Sequence, residues 1–314
     1  MILTVTLNPA LDITLTLNEF KPHDTNRIQT IQTDAGGKGI NLSRVAAELG
    51  SPTTATGFLG GDSGQLIRSV MLQQGVVDEC ISVNQETRTN FNIESGDGPP
   101  TTLNAKGAEV SADEWLALIA KVTALSSQAN WVCLGGSLPP GVPSDALAIL
   151  GHIAKQAGAN LLLDADGPPM IQGLKANPDL IKPNINEAAR LLNAELQNTN
   201  EDATRAANTL FDQLKAKGSQ DPIVLISRGS KGAILKSSQG LFIAEPIPIQ
   251  AKSTIGSGDS MLAGFLHGLL QNDSHAQALR LANAAGAATA LTDGAHIGRK
   301  QTIQELLQKS IIKN

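Results

Sequence analysis

Short, unbroken apolar runs constrain this chain more than any other feature. The runs "ILTVTL", "NWVCLGG", "ANLLLDAD", "DLIKPN" and "PIVLISRG" recur along it, and each is followed by a segment of helical pattern. A strand wetted on one side alternates apolar and polar residues. Runs without that alternation suit strands covered on both faces, so the chain reads as an α/β body with a mainly parallel sheet between helices. Ligands of such sheets bind at the strand ends. A chain of 314 residues that is 41% hydrophobic can bury a sizeable core, and no Pro/Ser-rich or highly charged tract of linker length divides it. One main body is expected.

Two segments break this rhythm. Asp12 to Asp34 and Glu86 to Gly107 are rich in Thr and Asn with alternating apolar residues, and the second carries the turn signal "SGDGPP". Each reads as a β-ribbon or hairpin, and the two can pair into a small sheet standing off the body.

The net charge of −5 argues against a nucleic-acid or anionic-membrane surface, because both are gripped by clustered Lys and Arg. Small molecules are the expected partners. Cys133, one of two cysteines with Cys80, sits inside an apolar run as a small buried hydrophobe, and no disulfide framework is indicated. The N-terminal stretch is β-rich, without a basic region or small-residue cleavage site, and no apolar run reaches transmembrane length. A cytoplasmic location is expected. His23, His152, His267, His275 and His296 are scattered without metal-ligand spacing.

The stretch "AGGKGIN", Ala35 to Asn41, leads into a helix on which Ile40, Val45, Ala46 and Leu49 recur near helical spacing while Arg44 and Glu48 take another face. Gly50-Ser51-Pro52 stops it. The glycines around Lys38 leave backbone N–H groups open to a polyhydroxylated or anionic ligand; a tight turn with a solvated lysine is the other reading. Gly39 follows Lys38 where a Walker P-loop needs Ser or Thr, and a dinucleotide fingerprint lacks its third glycine.

In "STIGSGDSMLAG" the residues Gly256, Ser257 and Gly258 present successive N–H groups ahead of a helix expected to begin near Ser260, an anion hole for a charged oxygen or phosphoryl group. Asp259 beside it serves either the helix dipole and cap or general-base chemistry. A carboxylate there can orient an attacking hydroxyl and accept its proton, and a weak base suffices because phosphoryl-transfer transition states are loose. Further along, "IKPNINE" offers Lys182, Asn184 and Glu187 to nucleotide phosphates and to magnesium through its waters. The same turn also arises for structural reasons, with Asn184 or Asn186 as N-cap. The segment "LISRGSKGA" is a strand, a glycine turn and a return, suited to backbone contact with a nucleotide. The Ala-rich segment around Gly286 reads as a closely packed helix.

Taken in order over essentially the whole chain, "TLNPALD", "AGGKGIN", "GFLGGDSG", "ETRTNF", "GGSLPPGVP", "IKPNINE", "ISRGSKGA" and "STIGSGDS" resemble the ribokinase-like carbohydrate kinase family, in its phosphofructokinase-B branch of phosphosugar kinases. The resemblance implies a Rossmann-like α/β body with a small β-sheet lid formed by residues 12–34 and 86–107, which in relatives often joins two copies into a dimer. It implies ATP and magnesium as cofactors, potassium as a further candidate, and transfer of the γ-phosphoryl to a sugar hydroxyl. Asp259 then matches the catalytic base, with Gly256, Ser257 and Gly258 as its anion hole. Asp12, Gly36, Gly37, Lys38, Asn41 and Ser137 match the sugar site, and Lys182, Asn184, Ser227, Gly229, Gly232, Gly258 and Asn283 the nucleotide site. Glu187 matches a magnesium position.

Arg88 resembles the arginine that meets the substrate's existing phosphate in the phosphosugar branch, and its fork-shaped guanidinium suits that anion. Arg27 is a second candidate cation. Arg228 and Asp166 stand where relatives commonly carry leucine and serine. The expected reaction takes fructose 1-phosphate to fructose 1,6-bisphosphate, with tagatose 6-phosphate and fructose 6-phosphate as close alternatives. A sugar-phosphate-binding regulator without catalysis is the rival reading, and an intact Asp259 beside the glycines speaks against it.

Overall fold

The computed structural model describes residues 1–96 and 100–314; residues 97–99 of the "SGDGPP" signal lie outside the described residues. In chain order the strands are β1 (Ile2–Thr6), β2 (Ala10–Leu17), β3 (Thr30–Gly36), β4 (Thr53–Leu59), β5 (Val77–Asp78), β6 (Ile81–Ser82), β7 (Arg88–Ser95), β8 (Thr101–Leu103), β9 (Trp131–Gly135), β10 (Asn160–Asp164), β11 (Leu180–Ile181), β12 (Ile223–Ser227), β13 (Ala233–Ser237), β14 (Gly240–Ala244) and β15 (Ile312–Lys313). The α-helices are α1 (Lys38–Leu49), α2 (Gly61–Gln73), α3 (Ala112–Ser126), α4 (Ala146–Gln156), α5 (Gly167–Gly173), α6 (Ile185–Leu192), α7 (Asn200–Ala216), α8 (Ser257–Leu270), α9 (His275–Ala290) and α10 (Lys300–Leu307).

The main sheet runs β15-β14-β13-β12-β11-β10-β9-β1-β4-β5, with β6 also on β4. Every pairing from β12 to β5 is parallel, and β13 to β15 add an antiparallel edge. The unbroken apolar runs are explained by two cores, one on each face. Leu161 and Leu163 of β10 enter one core with Leu118 of α3, Leu147 of α4 and Leu210 of α7. Leu162 between them enters the other, with Leu42 of α1, Leu262 of α8 and Leu279 of α9. Cys133 is buried in the second core as a free thiol.

Parallel register brings the strand ends level. Thr6 of β1 pairs with Gly135 of β9, which pairs with Asp164 of β10. Ile181 pairs with Leu163, so Lys182 follows at the same edge as Asp164. Onto this edge α8 points its N-terminus, one turn earlier than expected: the helix starts at Ser257, not near Ser260, because Gly256 adopts φ 73° and turns the chain straight into it. Two small residues let α9 lie close against α8. A Cβ on Gly264 would fall 2.9 Å from the Cβ of Ala285, and one on Gly286 would fall 3.1 Å from the Ser257 carbonyl oxygen.

The remaining four strands form a separate sheet, β3-β2-β7-β8. Its register places Asp12 opposite Asp34 and Asn90, and Ile13 opposite Phe91, which faces Leu103. Directly opposed residues share a face, so one face is polar and the other apolar. The polar face is the buried one: Asp12, Thr14, Asp34, Asn90 and Asn92 are all under 9% exposed, whereas Ile31, Phe91 and Leu103 are 65%, 38% and 53% exposed. Among the described residues no helix is long and apolar enough to cross a membrane.

Candidate active site

The centre of the site is Asp259, in the first turn of α8 and 8% exposed. Its Oδ2 accepts a hydrogen bond from Asn41 Nδ2 at 3.0 Å, joining α8 to α1. Burial pushes the carboxyl up to about 6; Lys38 opposes that rise and Asp164 adds to it. Ahead of Asp259, the hydroxyl of Ser257 is buried without a hydrogen-bond partner. A Cβ on Gly258 would lie 3.1 Å from Lys182 Nζ. The lysine ammonium therefore stands over the helix N-terminus, where an anion is favoured by dipole and charge together.

Asp164 organises the cations. Lys38 Nζ donates to its Oδ1 at 2.9 Å, and Lys182 Nζ lies 3.6 Å from the same oxygen. Burial alone would raise this carboxyl, but Lys182 and then Lys38 outweigh it and hold Asp164 below its usual value. Burial likewise works to lower the Lys38 ammonium, and Asp164 followed by Asp259 overcomes that and holds it above its usual value. Lys38 is thus held in its charged form where phosphates would approach. The other oxygen of Asp164 is buried and without a partner.

The small sheet brings a second group. Asp12 Oδ1 accepts from Asn90 Nδ2 at 2.9 Å. Gly36 leaves room for this carboxyl, since a Cβ there would meet Asp12 Oδ2 at 2.1 Å. Burial raises the Asp12 carboxyl, against the Asn90 hydrogen bond and Arg88. Arg88 itself is held by three carbonyls, those of Pro9 at 3.3 Å, Ala105 at 2.7 Å and Asn8 at 2.8 Å. Ser137 Oγ accepts from Asn8 Nδ2, placing it beside the same group. Arg27 is not gathered: it is exposed on the loop between β2 and β3 and has no hydrogen bond or ion pair among the described residues.

Asn184 is the N-cap of α6. It accepts from the N–H groups of Asn186 and Glu187 at 2.9 Å each, and Glu187 Oε2 accepts from the Asn184 N–H at 2.7 Å. The turn is thus a capping box, with one Glu187 oxygen left over. Asn184 also bridges to Ser227 at the end of β12. Gly229 (φ 59°) and Gly232 (φ 81°) shape the following turn, and a Cβ on Gly232 would strike the Ala244 carbonyl oxygen at 2.1 Å. Asn283 donates to the Glu245 carbonyl at 2.8 Å and to Ser310.

Sequence reasoning missed three members. Asp164 reads as an ordinary strand end, and Asn90 as one of several polar ribbon residues. Arg44, placed off the apolar stripe of α1, is 2% exposed and donates to the Ala35 carbonyl at 2.7 Å, to Gln74 Oε1 at 2.7 Å and to Asn41 Oδ1 at 3.3 Å. Arg228, just after β12, has its guanidinium bonded to Asn198 and Asn200. Asp166 caps α5 and pairs with Arg190 at 2.7 Å.

The family model described as pfkB family carbohydrate kinase matches residues 5–302. The 1-phosphofructokinase of Borreliella burgdorferi is 35% identical over 93% of this chain and 92% of its own. The tagatose-6-phosphate kinase of Staphylococcus epidermidis is 33% identical over the same shares, 93% and 92%. Phosphofructokinase-2 of Escherichia coli, solved in complex with substrates and products, covers 98% of each chain at 29% identity with a TM-score of 0.90. Solved in complex with potassium, the same protein gives 0.88 at 28% identity. The large, mostly parallel sheet with helices on both faces and a small separate sheet is the ribokinase-like architecture expected from the motifs. The chain belongs to the pfkB family of carbohydrate kinases.

Proposed function

We propose that this chain transfers the γ-phosphoryl of ATP to a hydroxyl of a sugar phosphate, with fructose 1-phosphate giving fructose 1,6-bisphosphate as the first reaction. The observation that carries the reading is Asp259, a buried carboxyl at the first turn of α8, beside Gly256–Gly258 and within the field of Lys38. A carboxylate raised to about 6 is ionised at neutral pH yet basic enough to take the proton of an attacking hydroxyl. The N–H groups at the start of α8, with Lys38 and Lys182, receive the charge that spreads over the phosphoryl oxygens. A protein that only binds has no use for such a base.

The sugar would lie between Asp12, Asn41, Gly36 and Gly37, with Arg88 on its phosphate. Asn184, Ser227 and the Gly229–Gly232 turn would take the nucleotide; the Asn283 side chain, already bonded to Glu245 and Ser310, would act by shaping that wall. Magnesium would be bound mainly by phosphate oxygens and water, the ligands this hard cation commonly keeps. The free oxygen of Glu187 fits an outer contact to that ion, whose charge would offset the phosphates. Potassium is a second ion to test, in view of the solved relative that holds it.

The four-stranded sheet would be the lid, since its polar face lines the sugar side. Its exposed apolar face, Ile31, Phe91 and Leu103, would pair with that of a second copy to make a homodimer. ATP and sugar phosphates are intracellular metabolites, so the reading carries a cytoplasmic location. The test is kcat/KM for fructose 1-phosphate, tagatose 6-phosphate and fructose 6-phosphate measured side by side with ATP, with and without potassium. Tagatose 6-phosphate is the second reading, supported by the staphylococcal relative. No phosphate transfer to any of the three would leave only the binding role.

A further inference from the structure

Asn41 reaches Asp259 through its amide nitrogen, and the polarity of that amide is not self-evident. An Asn side chain can present either oxygen or nitrogen, and only its neighbours decide which. Asp259 selects the nitrogen only while it is ionised, because a protonated carboxyl can also donate. The neighbour that decides in both states is Arg44, one turn along α1. Its Nη1 donates to Asn41 Oδ1 at 3.3 Å and to the Ala35 carbonyl at 2.7 Å, its Nε donates to Gln74 Oε1 at 2.7 Å, and its Nη2 lies 3.9 Å from Asp34 Oδ1. Arginine has donors only, so the oxygen of Asn41 must face it. The nitrogen must then face Asp259.

We propose that Arg44 is a positioning residue for the phosphoryl-transfer step: it fixes the polarity of the Asn41 amide, so that Asp259 is always offered an N–H and never an oxygen. The inference rests on the reading of Asp259 as base. With Arg44 removed, the Asn41 amide is free to turn its oxygen to Asp259. Two oxygens at that distance repel unless the carboxyl carries a proton, which is the state in which it cannot act as base. The other groups facing Asp259 are Lys38 from α1, Asp164 from the end of β10 and Lys182 after β11, and none of them touches Arg44. The charged groups facing Arg44 are Asp34, Asp12 and Arg299. Arg44 therefore acts on Asp259 through the amide rather than through its own charge.

The experiment compares kcat, the KM values for ATP and sugar phosphate, and the acid limb of kcat against pH for the full chain and for Asp259→Asn, Asn41→Leu, Arg44→Met, Arg44→Lys and the Asn41→Leu/Arg44→Met pair. Arg44→Met is expected to lower kcat about 10- to 100-fold, the scale of one hydrogen bond to a charged group, with KM for ATP unchanged. Its acid limb moves to higher pH, because a hydrogen bond that favours the ionised form is lost. In the Asn41→Leu background the same substitution adds no further loss, since the amide it works through is gone. Arg44→Lys keeps a buried cation for Asp34 but has one nitrogen for three acceptors, so it shows the same changes to a smaller degree and serves if the Met variant does not fold.

Wild-type kcat and acid limb in both Arg44 variants, a loss of kcat without movement of the limb, or a full multiplicative loss on top of Asn41→Leu would each overturn the inference while Asp259→Asn stays inactive. Full turnover of Asp259→Asn would overturn the base reading, and the role of Arg44 with it.

Discussion

Lys38 Nζ and Asp164 Oδ1 stand 2.9 Å apart, joining the first residue of α1 to the last residue of β10. The same oxygen faces Lys182 at 3.6 Å, and the side chain of Lys182 is only 6% exposed. One carboxylate therefore allows two ammonium groups to stand at the mouth of α8. Asp164→Asn keeps the shape and removes that charge. Breaking one partner of a buried pair costs about 3–5 kcal/mol, and the lower end is expected because Lys38 can turn to solvent. Denaturant unfolding should show this loss, together with a KM for ATP raised about tenfold or more as the lysines lose their aim. An unchanged unfolding midpoint would mean that the lysines are held without Asp164.

Asp259 sets a pH dependence of activity and of stability, and the two run in opposite directions. As the proposed base, Asp259 must be ionised, so kcat should fall as pH is lowered through about 6. In the unfolded chain the same carboxyl ionises near its ordinary 3.8. Between these values the folded chain holds a proton that the unfolded chain has released, so this group makes stability fall as pH rises through the window. Asp259→Asn removes the buried charge. It should lower kcat by about 10²–10⁴-fold and, at pH 8, stabilise the fold by up to about 3 kcal/mol. Parallel thermal melts and turnover assays of the two proteins from pH 5 to 8 test both signs at once.

The parallel sheet and the presence of a helix behind the glycines were legible because their signals are local: unbroken apolar runs, and a carboxylate after glycines. The start of that helix was not, because Gly256 turns the chain into it one turn earlier than the pattern indicates. Asp164, Arg44 and Asn90 were not, for a physical reason. Asp164 becomes a hub only when register sets β10 beside β11 and Lys38 arrives from a helix 126 residues earlier. Arg44 shares no apolar stripe with Val45 and Leu49, and helical periodicity puts it with Glu48 on another face. Its burial depends on the Ala35 carbonyl, Gln74 and Asp34, acceptors supplied by β3 and the end of α2. Asn184 shows the converse. Its pattern was read both as ligand contact and as cap, and the capping box is what the geometry displays, with the Asn184 amide nitrogen and one Glu187 oxygen still available.

Gly286 should be as sensitive as residues that touch substrate, although it lies on α9. A Cβ there meets the Ser257 carbonyl at 3.1 Å and the Cβ of Met261 at 3.5 Å. Ala is a tight fit; Val adds methyls with nowhere to go. Gly286→Val should push α9 off the first turn of α8, costing about 1–3 kcal/mol by overpacking and disturbing the N–H groups at Gly256–Gly258. The expected kinetic signature is a fall in kcat larger than any rise in KM for the sugar phosphate, since in the proposed function the first turn of α8 receives the phosphoryl in transit. A variant with reduced stability but native kcat would show that α9 can yield without moving the anion hole.

Arg88 offers the clearest separation of sugar from nucleotide. Three carbonyls, of Asn8, Pro9 and Ala105, take one donor from each of its nitrogens, leaving two of its five N–H groups for an anion. The guanidinium is thus prepaid in orientation, and lysine cannot copy it. Arg88→Ala should raise KM for fructose 1-phosphate about 100-fold, with KM for ATP within a few-fold of native. Arg88→Lys should recover only part of that loss. Unphosphorylated fructose, which lacks the anion that Arg88 is proposed to hold, supplies the control: its kcat/KM should be nearly the same in native and Arg88→Ala proteins. Equal losses for fructose and fructose 1-phosphate would assign Arg88 to holding the Asn8–Pro9 and Ala105 backbones together, and would take the phosphate contact away from it.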